Sequence, residues 1–215
     1  MSSVIAYVDG PNLDYSIRAT FGHRYLWLDL AALVERLRPD DTLERVQYCT
    51  TLVVKDPAAL ADQKTHLDAL AAHRPQDVQT ELGHYTVQKP RCASCRQGYR
   101  CGCTPPRRFR RFEEKRTDVA IGARLVEDSA RGASDIALIV SADSDLVPAV
   151  EAARRLDPLR KIYLALPPGY ARPSRHFHSV GAFTINETAL RNSQLPETVT
   201  EAVTGVAYSR PAGWK

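Results

Sequence analysis

The 215-residue chain has no apolar run approaching the eighteen or so residues that a membrane-spanning helix requires. Its opening, Met1 to Asp9, lacks a basic region followed by a cleavable apolar core. A cytoplasmic protein with no membrane partner is therefore expected. Also missing are the G-x-x-x-x-G-K-[ST] phosphate loop, the G-x-G-x-x-G fingerprint, the H-E-x-x-H pair and the G-x-S-x-G elbow. Nucleotide triphosphatases, dinucleotide enzymes, zinc proteases and common serine hydrolases thus lose their usual signatures. Asp9 has no second aspartate two residues on, as an aspartyl-phosphate phosphatase would. An excess of one charge is lacking too. The net charge of +4 is too small to argue for nucleic acid by itself, and only its distribution carries weight.

What is present is the material of an ordinary globular protein, 44% hydrophobic and 25% charged, long enough for one domain with a good core. Its most informative stretch is Ile136 to Leu146. The uncharged run Ile136 to Val140 reads as a strand buried on both faces, as in a parallel sheet covered by helices. It ends at once in Ser141, Asp143 and Asp145. Carboxylates just past the carboxyl end of such a strand stand where open α/β sheets bind ligands. Two close negative charges repel, and a divalent cation is their natural compensation.

The rest of the chain supplies the layers. Val4 to Val8 reads as a strand followed by Asp9-Gly10-Pro11-Asn12, with Asn12 as N-cap of a helix from Leu13 to Phe21. Asp9 and Asn12 on their own would be turn and cap residues. Asp29 caps a helix running to Leu37, and Arg45 to Val54 reads as a second strand, with Cys49 a small buried hydrophobe. A helix over Ala58 to His73 follows, and Asp77 to Lys89 looks extended. Arg107 to Phe112 reads as a strand returning to the sheet. Asp118 opens a helix with apolar positions Val119, Gly122, Ala123 and Val126, stopped by Gly132. There the helix dipole favours a carboxylate even without a metal. Lys161 to Leu166 is a further strand, Phe183 to Ile185 an edge strand, and Asn186 caps a last helix. His84 reads as a polar strand residue without a role, and His176 and His178 as residues of a surface loop. Residues 193–215 are weakly periodic and suggest an arm over the domain or a disordered tail.

Four of the five cysteines, Cys92, Cys95, Cys101 and Cys103, are packed into one short stretch. Zinc takes four soft ligands in a tetrahedron, and thiolates from two tight turns can supply them. The C-x2-C half has the usual spacing of a zinc turn; the C-x-C half and the short loop do not. Free cysteines or a redox pair are the other readings. A site filled by four thiolates would leave no open position, so its zinc would be structural. Around it stand Arg91, Arg96, Arg100, Arg107, Arg108, Arg110 and Arg111, then Lys115 and Arg116, interleaved with Tyr99, Phe109 and Phe112. Cations and aromatic rings so mixed can hold phosphates and stack on the bases of a single strand. A solvated basic face is the plainer account.

Asp9, Asp118, Asp143 and Asp145 all fall where a strand or loop gives way to a helix, and such tips can converge at one edge of an α/β sheet. Carboxylate oxygens suit Mg2+ or Mn2+, which can hold a phosphate oxygen and activate water.

Three strings, Tyr7-Val-Asp9-Gly-Pro-Asn12-Leu, Glu113-Glu-Lys115-Arg-Thr-Asp118-Val and Val140-Ser141-Ala-Asp143-Ser-Asp145-Leu, resemble in order and spacing the signature motifs of NYN-domain proteins of the PIN-like nuclease superfamily. The resemblance implies a Rossmann-like three-layer α/β/α domain over residues 1–192, with a mainly parallel central sheet and a zinc-knuckle insertion at 89–106. It also implies a metal-dependent ribonuclease site in which Asp9, Asp118, Asp143 and Asp145 form the acidic pocket. Asn12 and Ser141 would orient ligands or water, and Lys115 would contact a phosphate. PIN-like proteins are often dimers, so a homodimer is open. The chain departs from the pattern at Arg116 and Ala142, each in place of a common glycine, and at Leu146 in place of a phenylalanine.

The expectation is a metal-dependent endoribonuclease acting on single-stranded or structured RNA. Mg2+ or Mn2+ would sit on the four aspartates, and a structural Zn2+ on Cys92, Cys95, Cys101 and Cys103. RNA contacts would come from Arg96, Arg100, Arg107, Arg108, Arg110, Lys115 and Arg116. A non-catalytic RNA-binding protein on the same fold, a phosphatase and a DNA nuclease are the alternatives.

Overall fold

The computed structural model describes residues 1–54, 56–88, 92, 94–97, 102–103, 111–177 and 180–214. Its centre is a six-stranded sheet made of β1 (Ser3–Asp9), β2 (Thr42–Thr50), β3 (Val78–Leu82), β6 (Ile136–Val140), β7 (Lys161–Leu166) and β8 (Gly181–Thr184). The spatial order is β3-β2-β1-β6-β7-β8, and every neighbouring pair is parallel. This is the mainly parallel Rossmann-like arrangement expected from the apolar strand runs.

Strand alternation divides the core into two layers. Val4, Ala6, Val8 and Leu138 face one side and pack against helices α1 (Gly10–Phe21), α2 (Leu30–Leu37), α3 (Pro57–His73) and α6 (Glu187–Arg191). Ile5, Tyr7, Ala137 and Ile139 face the other and pack against α4 (Thr117–Arg131) and α5 (Val147–Leu156). With both faces covered, β6 is buried along its whole length. Cys49 lies in the second layer, where burial pushes its thiol pKa up to about 12. Among the described residues, no helix is long and apolar enough to cross a membrane.

Several boundaries differ from the sequence expectation. The extended stretch after α3 is two strands, because the chain leaves the sheet at Gly83: β3 pairs with β2, whereas β4 (His84–Gln88) does not. The strand expected to return to the sheet from Arg107 does not do so in its described part. β5 (Arg111–Lys115) pairs antiparallel with β4, and the two form a separate ribbon carrying the cysteine-rich segment between them. Residues 193–214 are an arm: β9 (Thr198–Thr200) and β10 (Ala207–Ser209) make a hairpin, and Leu195, Val199 and Trp214 enter the first core layer.

The second layer closes on a buried polar network at the amino-terminal side of β6 and β7. The Tyr7 hydroxyl donates to Asp128 Oδ2 at 2.5 Å, and Arg45 is paired with the same carboxylate. The Arg160 guanidinium donates to the Tyr7 hydroxyl at 3.1 Å, to Ser134 Oγ at 2.7 Å and to Ser129 Oγ at 2.9 Å. These hydroxyl bonds offset part of the cost of burying the Arg160 cation, whose Nε is buried without a hydrogen-bond partner. Burial is the main reason that the Tyr7 pKa is raised far above its ordinary value.

Candidate active site at the sheet switch point

Connections leaving β1 cover one face of the sheet and those leaving β6 cover the other, so the crevice beyond the carboxyl ends of these neighbours is the topological switch point. The register sets Val8 beside Val140 and Asp9 beside Cys49, which brings Asp9 and Ser141 to the same edge.

Asp9 itself is the N-cap of α1, its Oδ1 accepting from Asn12 N at 3.1 Å. The sequence expectation puts the cap at Asn12. The cap falls earlier because Pro11 lies in the first turn, where its missing N–H costs nothing and its φ suits a helix. Gly10 has a separate reason: a Cβ there would lie 2.7 Å from the Thr50 side chain, so only glycine lets α1 start so close to the end of β2.

Relieved of capping, Asn12 turns its amide to the third motif, where its Oδ1 accepts from Ala142 N at 3.1 Å. Ser141 Oγ donates to Asp9 Oδ2 at 2.8 Å and accepts from Asp143 N at 3.0 Å. Asp143 Oδ1 accepts from Asp145 N at 2.9 Å and caps a short 3-10 turn, Ser144–Leu146, ahead of α5. The first and third motifs are thus laced together through side-chain to backbone bonds.

Asp118 arrives separately, in the first turn of α4. Asp118, Asp143 and Asp145 each offer a carboxylate oxygen, and these oxygens all lie within 4.8 Å of one another. Asp9, 3% exposed and engaged by Asn12 N and Ser141, lines the cavity with Asp118 and Asp143 but is not one of these three, and Ser141 joins it to Asp143. All donors in the triad are hard oxygens, and carboxylates so close repel unless a cation lies between them. Such a donor set fits a divalent metal such as Mg2+ or Mn2+.

Two depressions meet at the triad. A groove of about 710 Å³ between α4 and α5 is lined by Asp118 and Asp145 together with Lys115 and Arg116. Arg116 has φ +87, in the left-handed region that favours glycine. A side chain at this position therefore strains the backbone beside Asp118. A cavity of about 440 Å³ opens on the other side, lined by Asp9, Asp118 and Asp143 and also by His66 and Trp214. Of these last two, sequence reasoning gave no sign. Trp214 lies in a tail without periodicity, and His66 has the look of an ordinary helix residue.

In the cysteine-rich segment, the Sγ atoms of Cys92, Cys95 and Cys103 lie within 4.8 Å of one another, with Cys92 and Cys103 at 3.9 Å. Backbone N–H groups of Cys95 and then Ser94 stabilise the Cys92 thiolate and hold its pKa down to about 6. Three converging sulfurs, one already inclined to lose its proton, fit a metal with soft-ligand preference. Arg96 is exposed on this turn. Cys101, Arg100, Arg107, Arg108, Arg110 and His178 lie outside the described residues, and His176 is exposed in a loop.

No family model and no curated protein matches the chain. Among solved structures it is similar to the crystal structure of a protein of unknown function from Vibrio parahaemolyticus, with 16% identity, coverage of 90% of this chain and 96% of that one, and a TM-score of 0.54. At that identity the likeness is one of fold.

Proposed function

We propose that the protein is a metal-dependent endoribonuclease of the NYN type within the PIN-like superfamily, acting on single-stranded or structured RNA. The observation that carries this reading is the convergence of Asp118, Asp143 and Asp145 within 4.8 Å at the switch point of a parallel sheet. When bound there, Mg2+ or Mn2+ supplies a Lewis acid for a phosphate oxygen and a water of lowered pKa.

The chain's own residues do the remainder. Asp118, Asp143 and Asp145 provide the oxygen donors. Asp9 holds Ser141, and Ser141 in turn fixes the backbone that aims Asp143. Asn12 pins the same loop through Ala142 N, so the triad is organised before substrate arrives. Lys115 and Arg116 share a groove with Asp118 and Asp145 and would take phosphates of the strand near the cut. The arginines of the cysteine-rich segment would extend that grip, with Zn2+ on the thiolates as its structural pin.

The test is cleavage of a labelled panel of RNA and DNA by the purified protein, in Mg2+, Mn2+ or chelator, beside the Asp143→Asn variant. RNA cleavage that needs the divalent ion and disappears in the variant is expected. Tight RNA binding without cleavage, unchanged by the substitution, would replace the nuclease with an RNA-binding module. Preferential hydrolysis of DNA or of small phosphomonoesters would move the activity to another class.

A further inference from the structure

The 440 Å³ cavity beside the triad has the size of a small-molecule site, yet the metal and a phosphate would occupy only the part lined by the aspartates. Other parts of its lining are built differently. Trp214 and His66 meet there edge to face, with ring centroids 5.7 Å apart, and Trp27 backs His66 at 5.6 Å. Tyr48, almost wholly buried, forms part of the wall.

Polar atoms are set among these rings. Thr51 lines the cavity and is 4% exposed, and its Oγ1 is buried with no hydrogen-bond partner. A buried hydroxyl left unpaired is costly, so a partner is called for. His66 Nε2 faces the carbonyl of Leu28 at 2.9 Å, so it carries the proton, and Nδ1 is left as the acceptor of the neutral ring. Gln63 also reaches the cavity but has no such role. Its Oε1 accepts from Val53 N at 2.8 Å and its Nε2 donates to Thr51 O at 3.0 Å. It locks the loop that carries Thr51, which keeps the unpaired hydroxyl in place.

Aromatic walls with a few fixed donors and acceptors are what an unstacked nucleobase needs: faces to lie against and polar atoms along its edge. We infer that this cavity receives the base of the nucleotide whose phosphate the ion on Asp118 and Asp143 would hold, with Thr51 reading the base edge and Trp214 forming the wall. The inference rests on the nuclease reading and narrows its substrate class. A base held in a duplex stack cannot enter, so the RNA must present an unpaired nucleotide next to the scissile bond.

The test is tryptophan fluorescence of the full chain, in chelator, titrated with each free nucleoside (uridine, cytidine, adenosine and guanosine) up to about 10 mM. At least one nucleoside is expected to quench, and the quench is expected to vanish in Trp214→Phe. Thr51→Val, nearly the same shape, should weaken that nucleoside about tenfold with no loss of thermal stability, because it also removes an unsatisfied group. A role in folding alone would move stability and leave the nucleoside affinities untouched. Cleavage mapping on a hairpin should give cuts at unpaired nucleotides only, with the preferred base altered in Thr51→Val.

No quench by any nucleoside, or one indifferent to Thr51→Val, overturns the base pocket even if RNA is cut. Nucleoside binding that responds to Thr51, in a protein that cuts no RNA, retains the pocket and removes the nuclease.

Discussion

Ser141 Oγ donates to Asp9 Oδ2 at 2.8 Å while receiving the backbone N–H of Asp143, so one hydroxyl joins the end of the first strand to the loop carrying two carboxylates of the triad. Replacing it by alanine takes one partner from a buried carboxylate and one from an amide together. Ser141→Ala should cost about 1–3 kcal/mol of stability, read as a lower thermal midpoint. It should also raise the Mg2+ or Mn2+ concentration for half-maximal cleavage by about 10–100-fold, as loss of an orienting partner does at metal sites. A metal requirement equal to that of the parent would show that the bond serves the fold alone.

Asp143→Asn separates charge from shape. In chelator the variant should unfold at a slightly higher temperature than the parent, because relief of like-charge repulsion is worth on the order of 1 kcal/mol at such spacings. Added Mg2+ should stabilise the parent and leave the variant unmoved. Equal metal-induced shifts in the two proteins would place the ion elsewhere.

Arg116 carries a strained backbone and an exposed cation together. Arg116→Gly should raise stability by about 1 kcal/mol through relief of the left-handed conformation. If the guanidinium holds a phosphate, RNA binding should weaken across sequences, and the salt dependence of log K should shrink by about 0.7. A more stable protein with unaltered salt dependence would mean that the strain serves the chain path into α4 and not the RNA.

His66 predicts a pH effect of defined sign. Burial lowers its pKa from the ordinary value, so the folded state holds it neutral while the unfolded state takes a proton at about pH 6.5. Stability from this residue is thus full above that pH and is lost as pH falls below it, by at most about 1.4 kcal/mol per pH unit. Thermal midpoints of the parent and His66→Gln, followed from neutral to mildly acidic pH, should diverge in slope, with the parent steeper. Parallel curves would mean that the ring titrates alike in both states.

The cysteine-rich segment is checked by metal analysis. Purified protein should carry about one zinc per chain, reduced nearly to nothing by Cys92→Ser or Cys103→Ser, with RNA affinity falling alongside. Zinc content that ignores both substitutions would return these residues to ordinary thiols.

The central strands were legible because parallel strands buried on both faces leave unbroken apolar runs, as Ile136–Val140 does. Asp118, Asp143 and Asp145 were legible because each follows a sheet edge or opens a helix in a local pattern. The cap at Asp9 was not, since Asn12 is as good a capping residue as any, and the choice between them rests on Pro11 in the first turn and on the close approach of Gly10 to Thr50. The partner of β5 was hidden as well, because its composition says strand and nothing in it names the strand it joins. The aromatic part of the cavity was invisible: Thr51 and Trp214 are far apart in sequence, and only the returning arm brings them to one cavity.

The Tyr7, Asp128, Arg160 and Arg45 network binds the sheet to α4 from the edge remote from the triad. The carboxyl edge can therefore change its loops and its chemistry while the clamp at the other edge keeps the strands in register. Substitutions in the cavity should be tolerated well enough for its selectivity to drift among close homologues. Substitutions at Arg160 or Asp128, which carry no chemistry, should be the ones the chain can least survive.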